Sequence, residues 1–246
     1  MKRTERHKLK ENEFARTVTH AKNMLEARSR GVTTTILVAA VVIAAIGGYT
    51  WYRQSRNAKA EGLLASALAV YQAPVVPVTA PAPGSPMPVP QAGTFQTEQA
   101  KIEAALPRFL EAADRYAGTN AGIAARYHAA GILAALGRHA EAEQRFQEVI
   151  DKGGSRVYGR TARLGLADAM IAQGKYDQAI KICQELATDS NSQLPLDGVL
   201  MQLGRAYAKA GKKDDAAHAF TRIVEEFPQS LYAADARRAL EVVKKS

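Results

Sequence analysis

Metal, nucleophilic and acid–base chemistry each demand particular side chains at particular spacings. The histidines are His7, His20, His128, His139 and His218, the cysteine is Cys183, and Asp214-Asp215 and Glu225-Glu226 are adjacent carboxylates. A helical metal site needs ligands one turn apart on one face. No histidine stands at i, i+3 or i, i+4 from another ligand type in a repeated way, so each reads as a surface or helix-end residue. A single cysteine excludes an intramolecular disulfide and a multi-cysteine zinc site. Adjacent carboxylates point to different helix azimuths, and Asp214-Asp215 suit the positive end of a helix dipole. A Gly-rich phosphate loop, H-E-x-x-H and G-x-S-x-G are all missing. The expectation is a protein that is not an enzyme, with no catalytic residues, no cofactor, no metal site and no small-molecule substrate.

Attention therefore passes to the elements themselves. Alanine supplies 47 of 246 residues and aromatics only 7 %, a balance that suits close-packed helices. Seven of the ten prolines lie between Pro74 and Pro90, leaving the rest nearly free of helix breakers.

Self-similarity is strong. Gly137-Arg138-His139, Gly174-Lys175-Tyr176 and Gly211-Lys212-Lys213 recur at 37 residues. Each glycine is followed in register by Ala142, Ala179 or Ala216, then by Phe146, Cys183 or Phe220, then by Val149, Leu186 or Ile223. A small residue, Ala130, Ala167 or Gly204, precedes each. The spacing predicts first helices over 123–136, 160–173 and 197–210, and second helices over 140–153, 177–190 and 214–227. The glycines take the turns, and the small residues are expected to face the alanines of the second helices. Pro228 ends the third second helix, Ser230 can cap the next, and a last helix from Leu231 to Lys244 serves as a solvated cap.

These residues resemble the tetratricopeptide repeat, most fully through Gly204, Tyr207, Ala216, Phe220 and Pro228 in the third copy. The resemblance implies an all-α solenoid of about three to four helix pairs plus a C-terminal capping helix. One period upstream, 97–117 reads as a second helix whose partner is 54–72, with Leu63, Leu64, Ala67, Leu68 and Tyr71 on one face. The proline-rich segment is then an insertion within that pair, or else a polyproline stalk.

From Gly31 to Tyr52 no residue is charged, and Ile36 to Gly48 reads ILVAAVVIAAIGG. A helix over 32–52 rises ~31 Å, the thickness of a hydrocarbon core. Residues 1–31 hold nine Lys/Arg against four Asp/Glu, and Tyr49, Trp51 and Tyr52 mark the other boundary. The positive-inside rule predicts a cytoplasmic N-terminus and a periplasmic remainder in a bacterial inner membrane. The organisation expected is 1–31 basic cytoplasmic segment, 32–52 transmembrane helix, 53–73 membrane-following helix, 74–96 proline-rich linker or insertion, and 97–246 repeat domain. Ala40, Ala44 and Gly48 share one face and could admit a second membrane helix. The net charge of +9 is concentrated beside the span, so nucleic acid is not the expected partner.

In repeats of the resembling kind, first helices line the concave face. Register then assembles a protein-binding groove from Tyr127, Leu164 and Met201, with Asp168 and Arg205 one turn on and Lys209 after them. Gln147 and Gln184 fall on the outer face. One span followed by such repeats is similar to the single-span ancillary subunits of the bacterial Sec translocon. That similarity implies protein partners at the translocon exit and hand-over of secreted chains to periplasmic chaperones. Two rival readings are an adaptor in envelope, pilus or cell-division assembly, and a regulator acting through Lys8 to Arg30 on nucleic acid or anionic lipid.

Overall fold

The computed structural model describes residues 19, 29–77, 92–154, 157–189 and 193–245. The basic segment 1–31, His7 and His20 with it, lies outside those residues but for its last few. The chain divides into two compact units, Met1–Ser55 and Arg56–Ser246.

In the first unit the principal element is the start of α1, Ser29–Tyr71. The expected segments 32–52 and 53–73 therefore share one unbroken helix up to Tyr71, which runs through Gly47-Gly48 and has no proline to interrupt the ladder. Its apolar side chains from Ile36 to Tyr52 are exposed, among them Ile43 at 70 % and Trp51 at 73 %. Thr35 and Thr50 donate their hydroxyls to the carbonyls of Gly31 and Gly47, at 2.8 and 2.9 Å. Such back-bonding leaves few polar groups unsatisfied along an otherwise apolar surface. Ala40, Ala44 and Gly48 are also exposed, and nothing lies within 4 Å of a side chain added at Gly48.

The second unit is all helix apart from one isolated bridge among the described residues. It contains the end of α1, then α2 (Glu98–Arg115), α3 (Asn120–Ala135), α4 (His139–Gly153), α5 (Val157–Ala172), α6 (Tyr176–Thr188), α7 (Leu196–Lys209), α8 (Lys213–Glu226) and α9 (Ala233–Lys245). Ala60 and Ala67 of α1 are fully buried, and Leu63, Leu64 and Leu68 pack on the cluster that holds Phe109 of α2. The backbone between α1 and α2 leaves and returns at one place. Val76 N–H donates to Phe95 at 2.8 Å, and Phe95 N–H donates to Pro74 at 3.1 Å. α2 accommodates Pro107 on its exposed side, where the lost backbone donor faces solvent.

The period is written into the turns. Gly137, Gly174 and Gly211 hold φ of +74°, +77° and +76°. The amide after each glycine reaches back to Leu133, Met170 or Tyr207, in every case at 2.9 Å, and the glycine's own amide bonds three residues back. This is the Schellman closure, which satisfies carbonyls at a helix end and requires a left-handed residue. Ala142, Ala179 and Ala216 are fully buried, as are Cys183, Phe220, Val149 and Ile223. Burial of these repeated positions stabilises each helix pair.

At Gly204 a Cβ would lie 2.5 Å from Cε1 of Phe220. The ring occupies the space the missing side chain leaves. Gly165 serves Phe146 in the same way, with a Cβ falling 2.4 Å from the ring.

Candidate protein-binding face

First helices of successive pairs pack on one another, α3 on α5 and α5 on α7, and each second helix packs against its flanking first helices. The first helices therefore share one side of the unit. On it Asp168, Arg205 and Lys209 are exposed, in line with Gly131. Asp168 accepts a long hydrogen bond from Gln202 at 3.4 Å. Arg205 and Lys209, one helical turn apart, have no ion pair among the described residues.

The other three expected groove residues sit deeper. Leu164 is half-buried. Tyr127 is half-buried against Phe146 (ring centroids 6.0 Å apart) and Tyr158 (5.5 Å). Met201 is 3 % exposed and belongs to the core cluster with Phe220 and Ala236. Its place on an open groove is corrected: Met201 is buried and is a packing residue of that cluster.

Two clefts open on the second-helix side, one period apart. The first, about 440 Å³, is lined by Gln144, Gln147, Glu148, Leu166, Met170 and Lys175. The second, about 320 Å³, is lined by Gln184, Leu200, Leu203, Tyr207, His218 and Arg222. Their charges are engaged within the fold. Lys175 binds Glu143 at 2.7 Å, and Arg222 binds Glu226 through bonds of 2.7 and 3.0 Å. Gln184 donates to the Tyr207 hydroxyl at 2.8 Å.

A polar network went unread in the sequence. Arg126, 3 % exposed, donates to the Ala113 carbonyl at 2.8 Å and stands 2.8 Å from Glu148 and 3.2 Å from Asp114. Arg145 bridges the same two carboxylates at 3.0 and 3.2 Å. One period on, Arg163 pairs with Glu185 at 2.6 Å. The recurrence of Arg126/Arg163 and Glu148/Glu185 at the repeat spacing was the available signal. In the third copy Leu200 and Arg222 take these places, and the cross-helix pair is lost.

At His128 and Cys183 burial is the main cause of shifted titration. His128 stacks on Phe109 at 5.2 Å, and desolvation holds its imidazole below the usual range. Desolvation, aided by the charge of Asp168, pushes the Cys183 thiol up to about 12, so it is protonated at neutral pH. Among the described residues, no group of three or more His, Cys, Asp or Glu is arranged to hold a metal ion.

The tetratricopeptide repeat-like domain family matches residues 28–243, nearly the whole chain. The chain belongs to that family. No curated protein matches the chain. Among solved structures it is similar to the nearly identical TPR-like repeats of a protein from Podosopora anserina described as a kinesin light chain. One such structure is 17 % identical with a TM-score of 0.47, covering 60 % of this chain and 87 % of that one. A second is 17 % identical with a TM-score of 0.46, covering 60 % and 88 %. As a tetratricopeptide repeat-like protein the chain is a protein-interaction scaffold: stacked helix pairs present a long side-chain-lined surface.

Proposed function

We propose that this repeat protein is a single-span membrane scaffold that holds protein partners on its first-helix face. The observation that carries the anchor is the wholly exposed apolar stretch of α1. A core helix of that composition would be covered, whereas here Ile36, Ile43 and Trp51 all face outward. Length and apolar composition suffice for a crossing. The Lys/Arg excess on the N-terminal flank favours a cytoplasmic N-terminus, with the repeats in the periplasm of a bacterium. There the scaffold would serve segments emerging from the Sec translocon and chaperones that receive them. Protein partners follow from the fold; this finer assignment rests on the order of basic segment, span and repeats.

Alkaline phosphatase fused after Ser246 tests the arrangement, because it matures only outside the cytoplasm. Activity comparable to a known periplasmic fusion is the expected result. An inactive fusion, with a cytoplasmic reporter active at the same site, would overturn the orientation.

A further inference from the structure

The last helix does more than close the core. Ala125, Ala162, Val199 and Ala236 stand 37 residues apart, one on each of α3, α5, α7 and α9, and all are fully buried. By register α9 is a fourth first helix. The turn that leads into it rests on the start of α7: Ser230 donates to Asp197 at 2.5 Å, and a Cβ on Gly198 would lie 3.4 Å from the ring of Tyr232. Where the preceding first helices meet a second helix through Ala130, Ala167 and Gly204, α9 carries Glu241, which is exposed. That side is solvated.

Extending the same register places Arg238 in line with Tyr127, Leu164 and Met201, and Val242 in line with Gly131, Asp168 and Arg205. The Arg238 side chain is 78 % exposed and, among the described residues, pairs with Asp235 of its own helix. The face is therefore graded. At α3 and α5 it offers Tyr127, Leu164 and the small residues Gly131, Ala135 and Ala172, with Asp168 the lone charge in register. At α7 and α9 it offers Arg205, Lys209 and Arg238.

We infer that this face binds an extended protein segment in one direction, its apolar side chains toward α3 and α5 and its acidic side chains toward α7 and α9. The inference rests on the first-helix-face reading and adds the occupant's chemistry and polarity. Exposed cations contribute selectivity and encounter rate more than affinity, and salt screens them over about 8–10 Å. Three on adjacent helices still discriminate between acidic and basic segments.

The test uses the full chain in mild detergent and three fluorescent peptides of about 12 residues, an extended length of ~40 Å. One runs from leucine and phenylalanine into aspartate and glutamate. The second replaces its acids with lysine, and the third reverses the order. At low salt the acidic peptide should bind at least tenfold tighter than the lysine peptide. Arg205→Glu with Arg238→Glu should abolish that preference without moving the thermal midpoint. A photoreactive group at the acidic end should label α7 or α9, and one at the apolar end α3 or α5. Equal binding of the lysine peptide, or an acidic end that labels α3, overturns the inference while leaving the face intact. Labels confined to α4, α6 or α8 overturn the face itself, and absence of binding by the acidic peptide counts against both.

Discussion

His128 couples the fold to pH. Its ring lies on Phe109 and near Tyr71, the last residue of α1, with centroids 6.2 Å apart from the latter. Burial lowers its folded pKa below the unfolded value. The unfolded chain therefore binds the extra proton first, and stability rises with pH across that window. The contribution is fully present above the unfolded value of about 6.5 and is lost as pH falls through it toward the folded pKa. The thermal midpoint of the wild type should drop between pH 7 and pH 5. His128→Phe keeps an aromatic ring in the stack and should flatten part of that drop. Identical pH profiles for the two proteins would show that His128 stays accessible to protons in the fold. Cys183 provides the opposite lesson: buried with its thiol raised to about 12, it is a small apolar filler at the position Phe146 and Phe220 hold in the other copies.

Between helices, two glycines in comparable helical positions should respond with opposite sign. Nothing lies within 4 Å of a Cβ at Gly131, whereas one at Gly204 meets the Phe220 ring. Alanine gains up to ~1 kcal/mol of helix propensity at either site. At Gly204 overpacking costs ~1–3 kcal/mol. Chemical denaturation should show Gly131→Ala as stabilising and Gly204→Ala as destabilising; the same sign at both would contradict the close approach of α7 and α8. The helices and their turns were legible in the sequence, because a glycine forced to positive φ recurs with the alanine and aromatic positions that bury each pair. Contacts between non-equivalent copies were harder to read. Met201 matches Tyr127 and Leu164 in register, yet it is buried in the cluster that also holds Phe220 and Ala236, a tertiary contact that local pattern does not reveal. Gly204 reads as a small residue set for close helix packing, and the ring of Phe220 lies where its side chain would be. α1 likewise continues without a proline through Gly47-Gly48 and past Tyr52, while the charge pattern there suggested a boundary.

For the molecule as a whole, α1 is the proposed anchor and the first-helix face the proposed working surface. The candidate site was legible only in part. Exposed Asp168, Arg205 and Lys209 follow from register alone, whereas the burial of Met201 depends on tertiary packing and the addition of Arg238 on α9. The clefts beside Gln147 and Gln184 supply the rival surface, since each has apolar lining and could seat a side chain. The measurement that separates the two is photocrosslinking in intact membranes, with the photoreactive residue placed in turn at Asp168, Arg205, Gln147 and Gln184. All four positions are exposed, so substitution there leaves the core untouched. Adducts of discrete mass from Asp168 and Arg205, and none of comparable yield from Gln147 and Gln184, are the predicted result. Strong adducts from the two glutamine positions alone would show that partners bind across the second helices, and would contradict the account.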